Sequence, residues 1–304
     1  MFLLSGPKLI GTQRMSFLEV DKPNVLSIGR RFSYGCLNLQ KECARLLTGG
    51  PKYLIVGLTR SVDNPVAQRL AKLPHVEILE KKWTTIDATW LQKEAVAKVY
   101  ISPHNRPSQF VEESGLYIAL LQAGVEYVVK VSTTVEYVSP KSPVYYGCSH
   151  WAIEKLLSLP EFDSLQWTSL QPNFFTVTFL VTAVYWIKRY QKTVAIIETK
   201  DVGTIRAHLL TLKDPSLHNH ARYTFSGPED VTRNDIVKLA GVYREKLLHS
   251  LLAGPGPLWL GKTSLARTPT SQEIMKLAPS MRTIVDALKD MLEEEMHVIS
   301  RTET

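Results

Sequence analysis

"VLSIGRRFSYGC", Val25 to Cys36, joins a short apolar run to two spaced glycines. Val25, Leu26 and Ile28 have the character of a buried strand, and a helical stretch follows from Cys36. In a doubly wound sheet, the first strand-to-helix turn brings backbone N–H groups and a helix N-terminus against a pyrophosphate. Glycines there let the chain turn tightly and approach the ligand. The turn here reads Gly29-Arg30-Arg31-Phe32-Ser33-Tyr34-Gly35, with Phe32 in place of a central glycine. A positive φ at Phe32 would cost roughly 1–2 kcal/mol, and the ring would occupy phosphate space. Arg30 and Arg31 pull the other way, because a guanidinium pairs bidentately with phosphate. Gly29, Arg30, Arg31 and Gly35 are therefore the first candidate cofactor-binding residues. Two readings stand: a modified loop that still binds a nicotinamide nucleotide, or a fold that has outlived its ligand.

Outward from this turn, short β-branched runs alternate with helical stretches, the signature of βαβ units feeding a parallel sheet. Strands are expected at Asn24 to Ile28, Tyr53 to Leu58, Val76 to Leu79, Lys98 to Ser102, Tyr127 to Ser132 and Gln166 to Leu170. Helices are expected in "CLNLQKECARLL", in "PVAQRLAKL" with Pro65 in its first turn, in "SQFVEESGLYIALLQAG" stopping at Gly124, and in "HWAIEKLLSL". After Pro172 the alternation weakens. Asp201 reads as an N-cap, and Thr232 with Asp235 as a capping box. A helix is expected to close the chain in "APSMRTIVDALKDMLEEEM". The fold class is thus α/β, a doubly wound parallel Rossmann-like sheet with a smaller C-terminal α/β lobe. Residues 1–23 form an N-terminal extension, 24–175 the NAD(P)-binding domain, and 176–304 a lobe for substrate or partner.

Composition narrows the function classes. The 304 residues carry a net charge of +7, but no basic run exceeds Lys-Lys or Arg-Arg, so no clustered nucleic-acid footprint is present. A pocket for a phosphate-bearing ligand explains part of the excess equally well. The longest apolar-rich run, Phe174 to Ile187, is 14 residues, against the roughly 20 that span a bilayer. It reads as buried helix or pocket wall, and its aromatics as core or as the roof of a substrate site. "MFLLSGPKLIGTQR" has too short an apolar core for a secretory signal. The expected location is the cytoplasm, with the nucleus as the alternative. Cys36, Cys43 and Cys148 form no CxxC pair and have no histidine at ligand spacing, so they read as reduced thiols, with neither disulfide nor metal.

"YLIVGLTRS" ends the second strand where a residue faces the adenosine ribose. An acidic residue there would bond the 2′-hydroxyl of NAD; Arg60 and Ser61 instead suit the 2′-phosphate of NADP. The alternative for Arg60 is a solvated side chain after a strand.

The phrases "VYISPHN", "QFVEESGLYIALLQAGVEYVVKVSTT", "HWAIEKLL", "LQWTSLQPNFFT" and "YTFSGPEDVTRNDIV" resemble the NmrA-like family. These are atypical short-chain dehydrogenase/reductases, here in the style of fungal sequences. The similarity runs from about Asn24 to the end and is weakest in the glycine loop. It implies a Rossmann-like domain preferring NADP. One style of use is reduction of quinones, other carbonyl compounds or intermediates of secondary metabolism. Another is sensing, in which the nucleotide alters the grip on a transcription factor or enzyme partner without turnover.

In the wider superfamily a tyrosine is the general acid, and a lysine four residues on holds the nicotinamide ribose and lowers the tyrosine's pKa. A serine on the fifth strand orients the carbonyl. "VYYGCSHW" is similar in placing Tyr146 four residues before His150, and "KVSTT" supplies Ser132, Thr133 and Thr134. Tyr146 and His150 are therefore the implied catalytic pair, His150 also holding the ribose. A cationic histidine would lower the tyrosine's pKa, but its charge would depend on pH as a lysine's would not. The resemblance further implies that Ser102, followed by Pro103 and His104, passes the riboses, and that Asn173 lines the nicotinamide side. Lys82 departs from an acidic residue near the adenine. The implied function is NADP-dependent reduction of a carbonyl, enone or quinone of a small organic substrate, in a setting such as fungal secondary-metabolite biosynthesis. The alternative is a non-catalytic NADP-sensing regulator with a protein partner. Neither nucleic acid nor membrane is expected as a direct partner.

Overall fold

The computed structural model describes residues 24–29, 54–175, 194–232, 235, 264–278 and 281–286. Nine strands are described: β1 Asn24–Gly29, β2 Leu54–Thr59, β3 Val76–Glu80, β4 Val96–Ser102, β5 Tyr127–Val131, β6 Gln166–Pro172, β7 Val194–Ala195, β8 Ala221–Phe225 and β9 Asp230–Val231. Seven form one parallel sheet in the order β3-β2-β1-β4-β5-β6-β8. β7 and β9 pair antiparallel on their own. The six strands expected from alternation are all present, each within two residues of its expected bounds. β8, from the stretch assigned to the smaller lobe, adds a seventh beside β6. Its pattern identifies a strand but carries no information about which strand it pairs with.

The strands are apolar almost without interruption because helices cover the sheet. Leu26, Ile28, Val56, Val99, Ile101 and Val128 belong to one buried cluster. Into it pack Leu116 and Leu120 of α3 (Gln109–Ala123) and Ile153 of α4 (Tyr145–Leu156). Full burial of each such side chain is worth about 1.5–3 kcal/mol. Two shorter helices precede these, α1 (Pro65–Leu70) and α2 (Ala88–Lys93). Two follow, α5 (Thr199–Thr211) and α6 (Gln272–Leu277).

Local chemistry sets the helix ends. Asn64 caps α1, its Oδ1 accepting from Val66 N at 2.9 Å, with Pro65 as the first helical residue. α3 stops at Gly124, whose φ of 75° is the left-handed conformation glycine adopts without strain. The Thr232–Asp235 capping box forms as expected: Thr232 N donates to Asp235 Oδ2 at 2.8 Å, and Asp235 N to Thr232 Oγ1 at 3.2 Å. Two expectations are corrected. α4 starts at Tyr145, five residues before His150, so Tyr146 is helical; Val144 precedes it in extended conformation with no side-chain cap to mark the start. α5 starts at Thr199, two residues before Asp201. Glu198 accepts Lys200 N instead, while Asp201 turns to Arg282, accepting from its N at 2.8 Å and its Nη1 at 2.6 Å.

The described residues divide into two compact units out of chain order. One takes residues up to 132, 138–170 and 203–222; the other takes 133–137, 171–202 and those from 223 on. Among the described residues, no helix is long and apolar enough to cross a membrane. The helix expected from Cys36 lies outside the described residues, as does nearly all of the Phe174 to Ile187 stretch.

Candidate functional site

The strand order reverses at β1, with β2 on one side and β4 on the other. Open α/β sheets present their ligand crevice at such a point, outside the carboxyl ends of the strands. There Gly29, the last residue of β1, is in register with Ser102, the last of β4. Ser102 is half-buried. Arg60 follows β2 directly and is exposed. The turn that carries it is tied down: Ser61 N donates to Thr59 Oγ1 at 3.2 Å, and Val62 N to Glu80 Oε2 at 3.2 Å. Arg30, Arg31 and Gly35 lie outside the described residues, as does Phe32.

Just beyond β4, His104 Nε2 is 2.5 Å from Glu112 Oε2, and its ring centroid is 5.8 Å from that of Trp83. Its Nδ1 is buried without a partner. At the carboxyl end of β5, Ser132 N donates to Leu170 O at 2.7 Å, while the Ser132 hydroxyl is buried and unpaired. A hydroxyl desolvated without a partner costs free energy.

Tyr146, the second residue of α4, is half-buried, its ring edge-on to Tyr145 with centroids 5.7 Å apart. His150 lies one turn further along the helix and is 2% exposed. Lys130 of β5 points its ammonium at His150 Nδ1 from 3.1 Å. Gln109 Nε2 is 3.4 Å from each ring nitrogen and donates to Glu113 Oε1 at 2.7 Å. Tyr117 Oη donates to Glu113 Oε2 at 3.4 Å. Burial, and then the charge of Lys130, holds His150 well below its ordinary pKa. Burial raises Glu113, opposed first by Lys130. The cationic histidine that would act as a lysine does is therefore disfavoured, because a second positive charge cannot be desolvated beside Lys130.

One turn beyond His150, Glu154 is also buried, accepting from Ser169 Oγ at 2.6 Å and from Arg222 Nε at 2.9 Å. In the second unit Asn173 is 2% exposed. Its Nδ2 donates to Ser226 Oγ and Thr268 Oγ1, both at 3.0 Å, and its Oδ1 accepts from Phe174 N. Thr134, also in that unit, donates to Pro172 O at 3.3 Å. Lys82 is exposed. Among the described residues, no group of three or more His, Cys, Asp or Glu could hold a metal ion.

The residues that sequence reasoning missed are Gln109, Glu113 and Lys130. Lys130 carried a signal: it is the one charge in "YVVKV", a strand otherwise apolar throughout. A lysine inside a sheet covered on both faces needs a buried partner, and His150 Nδ1 is that partner.

No protein-family model matches the chain, and no curated protein matches it. Solved structures do. The Escherichia coli NADPH-dependent quinone oxidoreductase, complexed with NADPH, superimposes with a TM-score of 0.64 at 16% identity, over 88% of this chain and 99% of that one. The Citrobacter sp. triphenylmethane reductase, complexed with NADP(H), gives 0.59 at 17% identity, over 88% and 99%. The Stenotrophomonas maltophila UDP-glucose-4-epimerase, with bound NAD, gives 0.64 at 12% identity, over 92% and 99%. At such identities the likeness is one of fold.

Proposed function

We propose that the chain is an NADP-dependent oxidoreductase that reduces a carbonyl, enone or quinone of a small organic substrate. The observation that carries this reading is the register of Gly29 with Ser102 where the strand order reverses, the place at which an open α/β sheet receives a nucleotide. Two proteins of the same fold, the quinone oxidoreductase and the triphenylmethane reductase, are complexed with NADPH and NADP(H), which supports the choice of cofactor.

In this reading Gly29, Arg30, Arg31 and Gly35 hold the pyrophosphate, and Ser102 passes the ribose. Arg60, exposed at the edge of β2, pairs with the 2′-phosphate. Bound at these residues, NADPH would supply the hydride for the reduction. The unpaired Ser132 hydroxyl fits the role of donor to the substrate oxygen. Tyr146 supplies the proton to that oxygen, directly or through a water, and His150 fixes the nicotinamide end. Asn173 is a further candidate on the nicotinamide side, with its amide already committed to Ser226 and Thr268.

Steady-state oxidation of NADPH with a panel of quinones, enones and aldehydes tests the reading. Turnover with at least one of them, lost in Tyr146→Phe, is the expected result. A blank panel beside tight NADPH binding would overturn it in favour of a non-catalytic NADP sensor with a protein partner. The burial and neutrality of His150 favour that second reading, since a sensor needs no cation beside Tyr146.

A further inference from the structure

Lys130 sits in the middle of the sheet, in register with Ile101 of β4 and Ser169 of β6, and is fully buried. An ammonium donates hydrogen bonds and accepts none. With Nζ 3.1 Å from His150 Nδ1, that nitrogen must be the acceptor. The proton of the neutral ring is then on Nε2. The groups around the imidazole come from each packed element. α3 contributes Gln109, with Glu113 and Tyr117 behind it, and β5 contributes Lys130. α4 itself carries Glu154, engaged by Ser169 and Arg222. A second proton on the ring would set two cations 3.1 Å apart in a closed interior.

We propose that Lys130 is a positioning residue that fixes His150 as the Nε2–H tautomer, and that the two divide the work a lysine would do four residues after Tyr146. His150 donates the hydrogen bond, and Lys130 holds the positive charge behind it. This rests on the oxidoreductase reading, in which His150 meets the nicotinamide ribose. A lysine unites donor and charge in one group. Dividing them removes the difficulty raised by a histidine at this place. The donor is a neutral N–H that persists across the pH range in which an exposed histidine would lose its proton, and no proton needs to leave the cluster.

The test is the tautomer itself, read from long-range proton–nitrogen correlation spectra of the 15N-labelled full chain, with His150 assigned by its disappearance in His150→Gln. The parent should show a protonated Nε2 and an unprotonated Nδ1, with no titration from about pH 6 to 9. Lys130→Arg should keep that pattern. Lys130→Met should develop Nδ1–H, or a titration moved up towards the ordinary histidine range, and should bind NADPH about tenfold or more weakly. A Nδ1–H ring in the parent, or a Lys130→Met spectrum identical to the parent's, would overturn the proposal. The parent spectrum decides even where Lys130→Met fails to fold. A parent that shows the Nε2–H tautomer but binds no NADPH would sink the division of labour together with the oxidoreductase reading, and leave the tautomer as a structural fact. NADPH binding with a Nδ1–H ring would sink the proposal alone.

Discussion

Gly29 and Ser102 are register partners at the carboxyl ends of β1 and β4, across the point where the strand order reverses. In the proposed reading a ribose passes Ser102, and a bulky side chain there would stand in its way. Ser102→Phe should weaken NADPH binding at least about tenfold, or 1.4 kcal/mol, by isothermal titration calorimetry. Because Ser102 ends a strand and is only half-buried, the melting temperature should move by no more than about 4 °C. Unchanged affinity would move the ligand away from this crevice.

The charge of Lys130 opposes the burial that raises Glu113, and each is tied to other buried groups, Lys130 to His150 Nδ1 and Glu113 to Gln109 and Tyr117. Lys130→Met leaves His150 Nδ1 without its donor and Glu113→Gln disturbs the bonds from Gln109 and Tyr117, so each should cost about 1–3 kcal/mol in urea denaturation. The double variant should cost less than the two together by about 1 kcal/mol or more. Strict additivity would show that the pair does not interact.

The depressed pKa of His150 has a definite sign in stability. Below its ordinary value of 6.5 the unfolded chain takes a proton at this residue that the native chain refuses. The stability contributed by the neutral ring is therefore present above pH 6.5 and is lost as pH falls towards the native pKa. Glu113, raised by burial, acts oppositely, its contribution being lost as pH rises. Comparing the parent with His150→Gln removes the carboxyl's part. Denaturation midpoints between about pH 7.5 and 5.5 should fall more steeply in the parent. Parallel profiles would place a protonated or exposed imidazole in the native state.

Lys98, 2% exposed on β4, reaches the end of α5, donating to Leu210 O at 3.2 Å and also to Leu212 O. A positive charge at a helix C-terminus answers its dipole as well as its last carbonyls. Burial lowers its pKa, opposed by Glu126. Lys98→Met would keep the stem and leave those carbonyls unanswered. The expected loss is about 1–3 kcal/mol for each acceptor left dry, measured by thermal melting. A variant as stable as the parent would mean that other groups already satisfy the end of the helix.

The parts of the fold legible in the sequence were those that depend on near neighbours. Alternating apolar runs placed six strands, Gly124 placed a helix stop, and Thr232 with Asp235 placed a helix start. What depended on distant chain was not legible. Nothing local to "ARYTF" says that it extends the main sheet beside β6. Asp201 looked like a cap because its partner Arg282 is far along the chain. At the candidate site, Tyr146, His150 and Ser132 were implied by the resemblance to the wider superfamily. The state of His150 could not be read there, because it is set by burial and by Lys130, which comes from another element.

The measurement that tests the central claim most directly is a calorimetric titration of the full chain with NADPH and, separately, NADH, with Arg60→Ala alongside. The account predicts micromolar binding of NADPH, ~8 kcal/mol, weaker binding of NADH, and loss of that preference in Arg60→Ala. No binding of either nucleotide would contradict it, and would mean that the sheet has kept its switch point without its ligand.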